Sequence, residues 1–238
     1  MPVNLVNKQY SLSIRMHPDG FSLFVHNENN KIISSEQFSQ QYLDEQIDLE
    51  LFFHSLQTSL PEYTSVNLIL ETDFYTLIPA ALFKPENAAS FLKLYKPTLP
   101  ETVEIFHTFY KHTESVLIYA YDKQTIKVLQ STFSLITVQH HLHPVIEENE
   151  AVEGEQVSLL LRNGQIDCLV WRNTNIQLIN SYTYQTVEDI VFHIVNILHH
   201  LHFNNETAKI TIYRGKNIKI SPETVLKKYV QSVNCVEI

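Results

Sequence analysis

Two glycine-containing turns carry the polar side chains that could hold a phosphate or a metal ion. They read Arg15-Met16-His17-Pro18-Asp19-Gly20 and Arg162-Asn163-Gly164-Gln165. A nucleotide site needs anion donors and a hard-metal ligand together, and Arg162 with Asp19 could supply one of each. Ordinary hairpin turns are the favoured interpretation, because the first turn has its acid directly before the glycine and the second turn has no acid.

Histidines form a second group with possible chemistry. Twelve are present, and residues 140–143 and 199–202 are similar clusters. On a helix, His199 and His202 would lie one turn apart and could share a metal ion, but a zinc site needs at least a third ligand. Solvated side chains on the polar face of an amphipathic helix are the favoured interpretation. No Ser-His-Asp, Cys-His or Walker-type arrangement can be recognised, so no catalytic residue is assigned and the interpretation leans away from an enzyme.

Composition limits the function further. The 238 residues include only four glycines, whereas a phosphate cradle needs glycine so that backbone N–H groups can approach the anion. Residues 1–156 hold nine Lys/Arg against 20 Asp/Glu, a net −11, and residues 157–238 hold eight against six, a net +2. Because an acidic surface repels polyphosphate, nucleic acid is not expected as a partner.

The compartment is predicted from cysteines and from hydropathy. Cys168 and Cys235 both lie in apolar, strand-like runs, where a free thiol packs as a small hydrophobe, and a reducing compartment fits best. No apolar run approaches the length needed to cross a bilayer, and residues 1–9 lack the pattern of a signal peptide. We therefore expect a cytoplasmic protein with no membrane span.

The first third of the chain alternates with period two. Apolar residues separated by turn residues predict a three-stranded antiparallel meander over residues 10–33. A helix follows, with apolar residues at helical spacing, and then a short apolar strand, Val66–Leu70. The residues that define the helix are Leu49, Phe52, Phe53, Leu56 and Leu60.

The same order returns after an acidic linker at residues 147–155. Three strands are predicted over residues 157–179, and a helix begins at Thr186, whose hydroxyl can cap it with Asp189 completing a capping box. A strand at 209–213, a capped helix from Ser221 to Tyr229 and a last strand at 233–238 finish this copy.

The middle of the chain completes the first copy. Residues 78–112 are rich in proline and predict a helix-bearing insertion. Strand, helix and strand then follow over residues 116–121, 122–133 and 134–140. The predicted domains are 1–146 with the insertion, a linker at 147–155, and 156–238. The predicted class is α/β, a tandem duplication of a ribonuclease-H-like βββαβαβ module in the architecture of the actin-like ATPases.

Three segments resemble a known family. "LSIRMHPDGFSLFV", "TLIPAALFKPENAASFL" and "SVLIYAYDKQTIKVLQSTF" are together similar to a Bacteroidetes family, domain of unknown function 3822, with an actin-like ATPase fold. The resemblance covers nearly the whole chain and implies the fold without an activity. More loosely, the middle segment resembles the actin-like scaffolds of type IV pilus and type II secretion assembly, although kinship of fold does not transfer function.

The resemblance also implies where chemistry would be found. Actin-like ATPases hold phosphates on Asp-x-Gly hairpin turns, and the candidates in such a cleft are Arg15, His17, Asp19, Arg162 and Asn163. A nuclease of this fold would need carboxylates in strand 1, where none occurs, to act with Glu71 and Asp73 after strand 4. We therefore expect a non-catalytic binding or scaffold protein that holds another protein or a small ligand in its interdomain cleft or on its surface, with a protein as the expected partner. A purely structural partner protein without a pocket is a further possibility. The alternative is a divergent nucleotide-binding protein or ATPase, and only then would ATP and Mg²⁺ be cofactors; the oligomeric state stays open.

Trp171 ends the second strand of the second copy. Alternation places Asp167, Leu169 and Trp171 on one face, and Asp167 predicts that this face is the more exposed. The indole is therefore expected at the margin of the sheet, partly in water, where it could contact a partner.

Overall fold

The structure is a computed structural model that describes residues 10–39, 49–59, 63–133, 135–149, 153–215 and 217–238. The predictions made on residues 1–9, on Leu60, on Ser134 and on the centre of the linker lie outside these residues. The chain divides into two compact units, one of Met1–Phe109 with Val116–His143 and one of Tyr110–Ser115 with Pro144–Ile238. No helix of the described part of the chain is long and apolar enough to span a membrane.

The first half of the chain forms two sheets. In chain order its elements are β1 (Tyr10–His17), β2 (Gly20–His26), β3 (Ile32–Ser39), α1 (Leu49–Ser59), β4 (Tyr63–Leu70), β5 (Tyr75–Pro79), α2 (Ala88–Tyr95), β6 (Val103–Tyr110), β7 (Ser115–Asp122), α3 (Lys123–Thr132) and β8 (Ile136–His140). The larger sheet has the order β3-β2-β1-β4-β8. Its meander β1-β2-β3 is antiparallel, whereas β1, β4 and β8 run parallel.

One face of the larger sheet is filled by alternate residues of β1. Leu12 and Ile14 are fully buried, and each lies between apolar partners on β2 and β4. Aromatic rings complete this core: Phe21 stacks on Phe38 at 4.7 Å between ring centroids and lies 5.3 Å from Phe53 of α1. Burying a side chain of this size contributes roughly 1.5–3 kcal/mol, which explains why the period of two specifies the strands.

A second, smaller sheet has the order β5-β7-β6 and is covered by α2; β6 and α2 lie within the predicted insertion, residues 78–112. Strand β7, predicted as part of the strand-helix-strand unit that closes the first domain, lies in the small sheet and not in the larger one. Val116 and Ile118 of β7 pack with Leu92 of α2, and Leu117 on the opposite face is also buried. A strand buried on both faces is a continuous apolar run, and such a run does not reveal which sheet it joins.

The second half repeats the topology. Its elements are α4 (His143–Glu148), β9 (Glu155–Arg162), β10 (Gln165–Arg172), β11 (Asn175–Thr183), α5 (Val187–His200), β12 (Lys209–Arg214), α6 (Glu223–Leu226) and β13 (Ser232–Glu237). The sheet order is β11-β10-β9-β12-β13, again with an antiparallel meander and two parallel strands. β1 and β9 are therefore both central, as the duplication predicted.

Helix α5 begins as the sequence predicted. The Thr186 hydroxyl accepts the backbone N–H of Asp189 at 3.2 Å, and the Asp189 carboxylate accepts the backbone N–H of Thr186 at 2.9 Å. The backbone N–H groups of Gln185 and Thr186, which both donate to the Asp189 carboxylate, lower the pKa of Asp189. Ile190 and Ile194 on the inner face of the helix pack into the core of the second sheet.

Helix α6 is shorter than predicted, with one turn and no side-chain cap. The predicted capping residue, Ser221, instead accepts a hydrogen bond from Arg214 of β12, which also pairs with Glu223 at 3.0 Å. Cys168 is buried, as expected for a packed thiol, and burial raises its pKa. Cys235 is exposed, and the prediction for it was wrong because β13 is an edge strand whose last four residues face solvent.

The predicted exposure of Trp171 is wrong. Strand β10 alternates as expected, with Cys168 and Val170 packed in the core that contains α5, but Asp167 and Trp171 on the other face are also 0% exposed. The Asp167 carboxylate tolerates burial because Arg162 and Ser181 both donate to it. An acidic residue in a strand therefore marks a solvent face only when it has no internal partner.

We expect Trp171→Ala to lower the free energy of unfolding by about 3–5 kcal/mol, the usual cost of truncating a buried tryptophan. Trp171→Phe should cost clearly less, because it keeps most of the apolar volume and removes an indole N–H that has no partner among the described residues. Urea unfolding measures both. Wild-type fluorescence should be blue-shifted and resistant to iodide; efficient quenching by iodide would contradict the burial.

Candidate functional site

The first hairpin holds its polar side chains in a local chain of hydrogen bonds. His17 pairs with Gly20 across the turn between β1 and β2. Its Nδ1 lies 2.7 Å from Asp19 Oδ1, and its Nε2 lies 3.0 Å from Ser22 Oγ. A carboxylate can only accept, so Nδ1 donates to Asp19, and in the neutral ring Nε2 accepts from the Ser22 hydroxyl. Both ring nitrogens of His17 are therefore hydrogen-bonded within this hairpin.

Gly20 is required by packing within the meander. A Cβ added at this position would lie 1.9 Å from the carbonyl oxygen of Phe38 on β3, and the residue has φ +140°. Gly164 of the second hairpin also has positive φ, +70°, but nothing lies within 4 Å of an added Cβ. The first glycine therefore allows the close approach of β3, and the second allows a left-handed turn residue.

The second hairpin contains a buried ion pair. Arg162 Nε and Nη2 donate to the two carboxylate oxygens of Asp167 at 2.7 and 2.8 Å, and the Ser181 hydroxyl donates to the same group at 2.6 Å. Arg162 is 5% exposed and Asp167 is 0% exposed. This guanidinium neutralises a carboxylate of its own sheet, while Asn163 is exposed in the turn.

In both hairpins, the last residue of the first strand contacts a residue of the second strand at an equivalent position, but the residue types differ. His17 and Arg162 each end the first strand, at the pairs His17–Gly20 and Arg162–Gln165. Each contacts the residue five positions later, which is Ser22 in the first module and Asp167 in the second. The sequence predicted the candidates His17, Asp19 and Arg162 but not these internal partners.

Arg15 lies on the same face of β1 as His17 and pairs with the acid after β4. Its Nε and Nη2 lie 3.1 and 3.0 Å from Glu71 Oε2. Glu71 is 9% exposed. Burial of Tyr121, and then the negative charges of Glu71 and Asp122, raise the pKa of Tyr121 to about 12. The phenol of Tyr121 is therefore protonated at neutral pH, and Glu71 is balanced by a guanidinium.

The two histidine clusters differ in the structure. His140 is 0% exposed, and its Nε2 lies 3.2 Å from the carbonyl oxygen of Thr72, so this ring joins the end of β8 to the chain after β4. His199 lies in the last turn of α5, but the helix ends at His200, and His202 follows with φ +53°. The prediction that His199 and His202 share one helix was wrong, and the described residues contain no group of three metal-ligating side chains.

A groove that the sequence did not predict lies between α5 and the turn that contains α6. Two adjoining depressions of about 290 and 320 Å³ share Val195 and Tyr229. Phe192 beside them is 64% exposed and Tyr229 is 45% exposed. We call this surface the α5 groove; His199 and His202 line one end of it and Glu188 the other. Phe192 on the outer side of an otherwise amphipathic helix was the available signal.

The fold defines the class of protein. Two modules of three antiparallel strands, helix, strand, helix and strand constitute the duplicated ribonuclease-H-like arrangement of the actin-like ATPase fold. The chain is similar to a Bacteroides thetaiotaomicron protein with actin-like ATPase fold and unknown function, with TM-score 0.80 and 21% identity over 99% of this chain and 94% of that one.

The chain belongs to the family described as "Protein of unknown function (DUF3822)", whose model matches residues 4–233. It is also similar in structure to a chain of the PilM-PilN type IV pilus biogenesis complex, with TM-score 0.61 and 10% identity over 95% and 88% of the two chains. The cytoplasmic domain of EpsL, an inner membrane component of the Vibrio cholerae type II secretion system, matches with TM-score 0.50 and 13% identity over 86% and 82%. A search among curated proteins found no match.

Breaking the buried ion pair from one side should be costly. We expect Arg162→Ala or Asp167→Ala alone to lower the free energy of unfolding by about 3–5 kcal/mol, because each leaves one buried charge without its partner. The double variant Arg162→Met/Asp167→Leu should lose much less than the sum of the single changes. Asp19→Ala is the matched control, since its 61%-exposed carboxylate pairs with His17 at the surface and should contribute at most about 1 kcal/mol. Additive single and double changes in urea unfolding would contradict the coupling.

Proposed function

We propose that this chain is a non-catalytic protein of the actin-like fold that binds another protein and does not hydrolyse nucleotide. The observation that carries the proposal is the buried pair of Arg162 and Asp167, which commits the charged side chains of the second hairpin to each other. Binding a polyphosphate with Mg²⁺ requires cationic donors and metal-ligating carboxylates that face the ligand.

The first hairpin supports the same proposal. His17 is bonded on both ring nitrogens, and its neighbouring glycine accommodates the β3 backbone. Arg15, the remaining cation of this region, pairs with Glu71. A nucleotide that used Arg15 or Arg162 would first have to break an ion pair, and it would leave the buried carboxylate of Glu71 or Asp167 without its partner.

The protein-binding part of the proposal is supported by the insertion. Phe83, His107 and Phe109 form a cluster with ring centroids 4.9–5.6 Å apart. Phe109 is 59% exposed, and the nearby Leu82 is 60% exposed. Aromatic rings held in a fixed arrangement at the surface are suited to a protein contact, because they bury a large area at a small cost in side-chain entropy.

The nucleotide part is tested by thermal unfolding with ATP and Mg²⁺. We expect no increase in Tm and hydrolysis at the buffer background. A nucleotide present at a hundred times its Kd would add about 2.7 kcal/mol of stability, which amounts to several degrees in a chain of this size. A rise of that size that disappears in Asp19→Ala would contradict the proposal and favour a divergent nucleotide site.

The protein-binding part is tested with the exposed aromatic cluster. The tagged wild-type chain should retain a partner protein that tagged Phe109→Asp does not retain. Once purified, that partner should bind the wild type at least 10-fold more tightly than the variant. Leu135→Asp, an equally exposed apolar residue outside this cluster, is the matched control and should bind as the wild type does. Equal binding by the Phe109 variant would refute a role for this surface.

A further inference from the structure

Four residues on the outer face of α5 form a stripe that has apolar residues at its centre and one polar residue of each kind, an acid and a histidine, at its two ends. Glu188, Phe192, Val195 and His199 follow one another at intervals of four, three and four residues. This spacing places all four on one side of a helix. All four line the α5 groove, and the inner face of the same helix is filled by Ile190, Ile194 and Ile197 in the core.

The order along this stripe is acid, apolar, apolar, base. Glu188 is in the first turn of α5 and His199 is in the last, and both are exposed. If an identical stripe is laid against it in the opposite direction, Glu188 meets His199 at both ends and Phe192 meets Val195 twice in the middle. Antiparallel helices also place opposite ends of their dipoles together. An imidazole N–H can donate to a carboxylate in either protonation state, so the stripe is complementary to itself in hydrogen bonding at its ends and in apolar contact at its middle.

From this self-complementarity we propose that the α5 groove is a dimer interface, occupied by α5 of a second copy of this chain in antiparallel orientation. Phe192 of each copy enters the depression beside Val195 and Tyr229 of the other. Each contact is made twice about a two-fold axis, so the association closes at two chains. The exposed apolar surfaces of Phe192 and Tyr229 are removed from water in the dimer.

The charges around the groove fit this occupant. His202 lies beside His199 at the basic end, and Lys228 precedes Tyr229 on the turn after α6. The acidic end is formed by Glu188, next to the capping residue Asp189, which belongs to the helix start. A partner helix in parallel orientation would place acid against acid and histidine against histidine, so the charges select the antiparallel arrangement.

The test is the mass of the full-length chain in solution as a function of concentration, by light scattering and sedimentation equilibrium. We expect a species of twice 27.7 kDa that dissociates on dilution. Phe192→Asp should raise the dissociation constant at least about 30-fold, the range expected when an aromatic hot spot is lost. Leu135→Asp, which changes an equally exposed apolar side chain outside α5 and outside the aromatic cluster, should leave the constant unchanged. Circular dichroism and Tm show that each variant is folded.

A charge reversal separates this interface from any other dimer. Glu188→Lys should weaken the dimer because it places lysine opposite His199, and Glu188→Lys combined with His199→Glu should restore it. A monomer at every concentration up to several hundred micromolar would overturn the proposal and leave the groove to a different protein. A dimer that survives Phe192→Asp would overturn it as well, because the chains would then associate elsewhere.

Discussion

Burial of both sheet faces at the central hairpin of the second module is the constraint on which its chemistry depends. Strands β9 and β10 are almost continuously buried, so a charged residue there must find its partner inside the protein. Arg162 and Asp167 satisfy one another, and Ser181 of β11 completes the carboxylate's bonds. One pair thus joins the first two strands and fixes the third beside them. It also occupies the only charged side chains at this turn among the described residues.

The first module joins its first two strands at the same positions, but with a hydrogen bond in place of a buried ion pair. Its equivalent positions hold a histidine and a serine, and the turn acid Asp19 is mostly in water. The strand order, the central position of β1 and the length of the turn are nevertheless the same as in the second module. Topology is thus maintained by the apolar alternation of the strands, while the residues at the hairpins vary. This separation shows how one fold can be maintained while the chemistry of its hairpins changes.

The sequence predicted the parts of the fold that depend on local periodicity. Alternation in β1, β2 and β10, the capping box at Thr186 and the apolar face of α5 all depend on neighbours within a few residues, and the structure contains them. Trp171 and β7 could not be predicted in the same way, since their environment is set by residues far along the chain. For the site, His17, Asp19 and Arg162 were identified as polar turn residues, but their partners Ser22 and Asp167 decide what they can do. A solvent-facing interpretation of Asp167 failed for that reason.

Helix α5 shows a further limit of pattern analysis. Its inner face obeys the usual amphipathic rule, and the rule treats every residue on the outer face as solvated. Phe192 breaks the rule between an acid and a histidine, and Val195, which is half-buried against the core, extends its apolar surface into the groove. A single exposed phenylalanine needs no explanation, because apolar atoms make up much of any protein surface. A stripe of four residues beside a groove is a stronger observation when reversing the helix places the acid Glu188 opposite the imidazole of His199 at each end. Core packing does not require that order, whereas pairing of the helix with its own copy does.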